Sequence, residues 1–315
     1  MAIARPLVPS RLAPSAVIGH SSTHAPRSKI AGYIALTKPR IIELLLITTI
    51  PTMVMAERGL PAVHLMIATL VGGAFAAGGA NAINMYVDRD IDRLMPRTQH
   101  RPLVTGIVEP RSALIFAISL EVIAFALLTV VVNLLSAVLA LGACLFYVFV
   151  YTLWLKRTST QNIVIGGAAG AVPVLIGWSA VTNSMSWSAI VLFGVIFLWT
   201  PPHFWALAIR YSEDYRAADV PMLPVVTSYA YTAKRMLAYS AAVVLASLVL
   251  IPVGHLGWVY GITASLLGAG FMALGVDVLR VPTAKRAMRL FGFSITYVTL
   301  LFGAIAVDTF VVHGW

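Results

Sequence analysis

Long apolar blocks, separated by short polar ones, run through most of the chain. The apolar runs fall at 36–56, 62–86, 113–133, 136–155, 162–182, 187–210, 236–254, 257–279 and 290–311. Each is about 20 residues long, enough for a helix to cross a ~30 Å hydrocarbon core. The pattern predicts an all-α membrane protein of nine transmembrane helices. Pro51, Pro173, Pro201, Pro202 and Pro252 lie inside these runs, which membrane helices tolerate when neighbours satisfy the freed carbonyls. Residues 1–28 are rich in Pro, Ser and Ala, and their short VIGH stretch is too brief for a signal-peptide core. They predict a disordered basic tail on the cytoplasmic side, leaving 29–315 as one nine-helix unit. His20 and His24 read as solvated members of that tail.

The basic residues test the helix count. With the N-terminus placed in the cytoplasm and the helices alternating, every Lys and Arg except Arg58 falls on the cytoplasmic side. That bias orients the chain N-terminus in and C-terminus out, and eight or ten helices would scramble it. It also accounts for the net charge of +10 without a nucleic-acid partner. Two cytoplasmic connections, about 86–112 and 211–235, are long enough to cap the bundle and carry acids. The loops opposite are short and almost uncharged.

Composition agrees. The chain is 59% hydrophobic and 11% charged over 315 residues, where a soluble domain carries about 25% charged residues. The single cysteine, Cys144, excludes an intrachain disulfide or a cysteine metal cage and reads as helix packing.

The chemistry concentrates in the stretch from Gly78 to Gly106. Asn84, Asp88 and Asp92 recur every fourth residue, so a helix stacks them along one face, and Asp90 falls off it. Three oxygen acceptors so spaced suit Mg2+, which usually shares its ligands with a phosphate. Arg93, Arg97 and Arg101 follow, donors fitted to phosphate oxygens. The simpler reading is a helix end pairing acids with arginines. Acids at a membrane boundary default instead to a functional role. In the second connection Asp214 and Asp219 stand among Tyr211, Glu213 and Arg216. Two carboxylate clusters on one side suggest a shared diphosphate held through Mg2+. Ionising an allylic diphosphate needs its leaving charge stabilised by metals and Arg/Lys, and the carbocation needs aromatic faces and shelter from water.

Other positions keep two readings. Lys156 and Arg157 serve as topology determinants or as an anion site, amid Tyr151, Thr158, Gln161 and Asn162. Lys38 and Arg40 anchor at the membrane surface or reach the site. His203, in TPPHFWALAIR, is a packing residue or a contact for a large planar substrate. Glu43 and Glu121 pair internally or line a cavity, and His64 and His255 carry no role.

The Asn84–Asp88–Asp92 pattern resembles the first aspartate-rich motif of the UbiA-type intramembrane prenyltransferases, with Asp214–Asp219 in the place of the second. NAINMYVDRDIDRLMPRTQHRPL, YTLWLKRTSTQNIVIGGAAGAVP, TPPHFWALAIRYSEDYRAADVPMLPVV and AMRLFGFSITYVTLLFGAIAVD narrow the resemblance to the haem-farnesylating branch over roughly residues 30–310. The resemblance implies nine helices around a central cavity capped by the two loops. It implies transfer of farnesyl from farnesyl diphosphate to a vinyl of haem b, with water added to give haem O. The setting is the cell membrane, with the active site facing the cytoplasm. Partners are the lipid bilayer and, downstream, a haem A synthase or terminal oxidase assembly. By motif, Asn84, Asp88 and Asp92 would hold Mg2+, and Asp214 and Asp219 a second metal. Arg97, Arg101, Lys156 and Arg210 would grip the diphosphate and His203 would contact haem. The Asp214–Asp219 spacing is five where the first motif has four, which turns Asp219 off the face of Asp214. Rival readings are prenylation of an aromatic acid or quinone precursor, a transporter, and a haem-binding assembly factor.

Overall fold

The computed structural model describes residues 28–281 and 283–314, with 40–42 and 44–46 described in their backbone only. The expected 1–28 tail, with His20 and His24, lies outside the described residues, Ser28 apart. Among the described residues all regular structure is helical. A short α1, Lys29–Thr37, leads into α2, Pro39–Glu57. They are followed by α3 (Val63–Val87), one-turn α4 (Arg89–Asp92), α5 (Pro110–Val132), α6 (Leu134–Thr158) and α7 (Asn162–Thr182). Next come α8 (Trp187–Arg210), α9 (Ser212–Ala217) and α10 (Leu223–Val226). The chain closes with α11 (Tyr229–Gly254), α12 (Trp258–Arg280) and α13 (Ala284–His313).

Eight helices among the described residues are long and apolar enough to cross a membrane: α3, α5–α8 and α11–α13. The first expected span, 36–56, coincides largely with α2. Its expected start is broken at Lys38, whose φ of 53° is left-handed. Pro39 explains the break, because a proline disfavours the α conformation of the residue before it. Helices α11 and α13 start several residues before the apolar runs that announced them. Ser228 and Thr283 accept from the first-turn N–H groups of Tyr231 and Arg286 there, as N-caps do.

The bundle closes through small residues. Gly72 and Gly79 let α3 lie against Leu128 and Glu121 of α5, the close approach that membrane helices use. Helix α8 sits centrally, packed on α7, α11 and α13, while α2 joins α7 to α13. The C-terminal half holds the largest buried side chains, among them Trp205, Tyr260, Phe271, Tyr297 and Phe302. One carboxylate is built into that half. Asp308, fully buried on α13, accepts hydrogen bonds from Gly257 N (2.5 Å) and Tyr260 N (3.1 Å) at the start of α12. Negative charge is favourable at that helix end.

Asp308→Ala would strand those two donors. The expected cost is about 1–3 kcal/mol, read as a lower thermal unfolding midpoint in detergent. An unchanged midpoint would show that the cap contributes nothing to packing α12 on α13.

Candidate active site

The acid stripe survives the end of α3. Asp88 N donates to Asn84 O and Asp92 N to Asp88 O, both at 2.9 Å, so the one-turn α4 extends the same helical ladder. All three side chains are buried, Asp88 at 0% and Asp92 at 1% exposure. Asn84 Nδ2 donates to Asp88 Oδ2 (2.7 Å), and Asn84 Oδ1 accepts from Lys38 Nζ (3.1 Å). The break before Pro39 thus places a cation against the stripe, which decides between the two readings of Lys38.

Helix α6 supplies the opposite wall. From Phe146 to Leu155 its turns widen to π geometry, a feature frequent at functional sites. Thr152 Oγ1 donates to Tyr147 O five residues back (2.9 Å) and accepts from Asn84 Nδ2 (3.2 Å). Tyr147 and Tyr151 stack with centroids 5.2 Å apart. Gly166 of α7 leaves the space that the Tyr151 ring fills. At the end of the widened stretch Lys156 Nζ pairs with Asp88 Oδ2. Arg157 lies 3.5 Å from the other Asp88 oxygen and holds Asp90 through two 2.7 Å bonds. Those bonds lower the Asp90 carboxyl to about 2, so Asp90 orients Arg157 and stays off the stripe.

The two long connections meet above this wall. Arg101 Nη1 reaches both Asp92 oxygens (2.8 and 2.6 Å). The Arg97 guanidinium lies 4.8 Å from the Tyr215 ring centre and 5.5 Å from that of Tyr211. Arg97 Nε is buried 3.4 Å from Asp214 Oδ2 and forms no hydrogen bond. A buried donor left open on one side is suited to receive an oxygen from a ligand.

Beneath these groups lies a cavity of about 380 Å³, within the usual size of a ligand site. Lys38, Asn84, Asp92, Arg97, Arg101 and Lys156 line its polar end. Tyr147, Tyr151 and Tyr215 follow, then apolar wall from Ile176, Ile196, Trp199 and Phe204. Cations outnumber acids at the polar end, and low-dielectric surroundings strengthen their pull on an anion. The arrangement can hold a polyanionic head with its apolar tail pointing into the bundle.

The acids also fit a cation held jointly with that anion. Among the described residues no three of His, Cys, Asp and Glu converge as a self-contained metal cage. A Mg2+ site needs none, since one or two carboxylates with water and phosphate oxygens suffice.

Not every expected residue comes to this place. Asp214 reaches it through Arg97, whereas Asp219 is exposed, with a left-handed φ of 51° after α9. Arg210 is exposed and faces Tyr211 at 5.8 Å. His203 is buried between the rings of Trp199 (4.2 Å) and Phe291 (4.5 Å), and is not itself on the cavity lining. Glu43 is exposed, and Glu121 packs against Gly79. Sequence reasoning missed Tyr147, Thr152 and Tyr215. The spacing of Tyr147, Tyr151 and Lys156 was the available signal for the first; nothing local pointed to Tyr215.

Comparison with known proteins decides the family. Residues 45–301 match the UbiA prenyltransferase family. The chain belongs to that family. The protoheme IX farnesyltransferase of Pseudarthrobacter chlorophenolicus is 57% identical over 289 residues, 90% of each chain. That of Streptomyces coelicolor is 54% identical over 308 residues, 94% of this chain and 97% of the other. Among solved structures, the apo UbiA homolog from Aeropyrum pernix K1 shares the UbiA fold with a TM-score of 0.67 and 22% identity. It covers 84% of this chain and 98% of that one. A UbiA homolog from Archaeoglobus fulgidus bound to GPP and Mg2+ gives a TM-score of 0.58 at 17% identity, covering 87% and 99%.

Lys156→Met would leave Asp88 short of its nearest counter-charge. In a UbiA protein built this way the expected loss is about 3–5 kcal/mol, measured by unfolding in detergent. Adding Asp88→Asn should restore most of it; additive losses would contradict the pairing.

Proposed function

We propose that this UbiA-family chain transfers the farnesyl group of farnesyl diphosphate to a vinyl group of haem b, giving haem O. The observation that carries the reading is the buried acid–cation chamber opening on an apolar cavity. The names of relatives 53–57% identical over about 90% of the chain supply the acceptor. In this reading α2 is the first of nine membrane spans. The N-terminus and both capping connections face the cytoplasm, and the membrane is the cell membrane. Haem O then passes to a haem A synthase or to terminal oxidase assembly.

Asn84, Asp88 and Asp92 would hold Mg2+, with Asp214 the candidate for a second ion and Asp219 the more distant one. The ion supplies neutralising charge to the departing diphosphate. Lys38, Lys156, Arg101 and Arg97 bind the diphosphate oxygens, and Arg210 lies at the entrance. The C–O bond of the allylic carbon breaks with its electron pair leaving on the diphosphate. The Tyr147 and Tyr151 faces stabilise the allylic cation, while the apolar wall keeps water from it. The vinyl π electrons form the new C–C bond. Water adds to the resulting cation beside the macrocycle and loses one proton. The wall of Trp199 and Phe204 suits a flat apolar acceptor.

Membranes carrying the chain, given labelled farnesyl diphosphate and either haem b or 4-hydroxybenzoate, should label haem alone. Asp88→Asn should lower that turnover by about 10²-fold or more, as loss of a preorganised charge-stabilising group does. Labelling of the benzoate alone would overturn the substrate, and full activity of Asp88→Asn would overturn the chemistry.

A further inference from the structure

Ser294 of α13 lies 91 residues from His203 and is fully buried beside it. Its single hydroxyl hydrogen is already committed, because Ser294 Oγ donates to Phe291 O at 2.6 Å. The 2.7 Å contact between Ser294 Oγ and His203 Nδ1 then has one consistent assignment. The imidazole donates from Nδ1, and a neutral ring protonated there keeps its lone pair on Nε2. Among the described residues no donor meets Nε2.

The surroundings hold the ring in place. Trp199 and Phe291 stack on its two faces at interplanar angles of 22° and 26°, and Phe204 packs on it edge-on at 5.2 Å. Trp199 Nε1 donates to Ser294 O at 2.8 Å, so one turn of α13 anchors both the histidine and its stacking partner. The Nε2 lone pair lies in the plane of the imidazole. Rings on both faces therefore fix the plane in which it points. Trp199 and Phe204, which contact His203, both reach the cavity lining.

We infer that Ser294 is a positioning residue: it locks His203 in the Nδ1–H tautomer and thereby presents Nε2 to the iron of the haem acceptor. This rests on the reading of His203 as a haem contact. Metal-binding histidines are generally fixed by a partner on the other ring nitrogen, and loss of that partner weakens the metal contact without removing the ligand. The iron here belongs to the substrate, so the contact orients the macrocycle and takes no part in bond making.

The test is a titration of the purified full-length protein in detergent with ferric haem b, following the Soret band, alongside KM for farnesyl diphosphate. The wild type should shift the band and His203→Ala should abolish the shift. Ser294→Ala should weaken haem affinity by about 10-fold or more, Ser294→Thr should restore it, and KM for farnesyl diphosphate should stay unchanged in both. If Ser294→Ala fails to fold, Ser294→Cys, whose thiol accepts weakly, carries the same expectation. Wild-type affinity and band in the Ser294 variants, with the shift lost in His203→Ala, would overturn the tautomer role. A wild-type band in His203→Ala would instead overturn the haem contact beneath it.

Discussion

A carboxylate with no exposed surface at the boundary of a membrane helix must be neutralised or it cannot stay charged. Asp88 is that group, and the site is arranged around its need. Lys156 meets one oxygen with Asn84 beside it, and Arg157 stands near the other. Asp92, one turn on, is answered by both oxygens' contact with Arg101. Charge neutralised this closely is charge that can be exchanged. In the proposed reaction an incoming diphosphate and metal ion would offer each member of these pairs a new partner of opposite sign, leaving little charge uncompensated.

Meeting that need brings distant parts of the chain together. Lys38 comes from a helix break before Pro39, and Lys156 from the end of a π-widened stretch. Arg97 and Arg101 come from one connection, while Asp214 and Tyr215 come from another. The same π stretch turns Tyr147 and Tyr151 to the cavity, below the charges and above the apolar wall. The site is therefore graded, with charged side chains at the polar end, aromatic faces next, then an apolar wall.

Much of this was legible in the chain itself. The stripe of Asn84, Asp88 and Asp92 is a local property of helical spacing, and it persists because the backbone ladder runs through the end of α3. The membrane character and eight of the spans followed from apolar runs alone. The starts of α11 and α13 did not, because a helix continues by hydrogen bonding and capping after its hydrophobicity ends. Helix widening at 146–155, where the chain packs against α3 and α7, was hidden, since no residue type announces it. Ser294 was equally hidden, as its bond to His203 spans two helices far apart in sequence. In the second acid cluster the five-residue step already set Asp219 off the face of Asp214. The turn after α9 then sends one toward Arg97 and the other to the surface.

In the proposed reaction Asp88 and Asp92 would bind a metal jointly with the diphosphate, while Lys156 and Arg101 would turn from the acids to phosphate oxygens. Calorimetric binding of a non-hydrolysable farnesyl diphosphate analogue, with Mg2+ and then with chelator, tests it most directly. Tight binding that requires Mg2+, and that Asp88→Asn loses, is the predicted result. Equal affinity in chelator, or in Asp88→Asn, would contradict it.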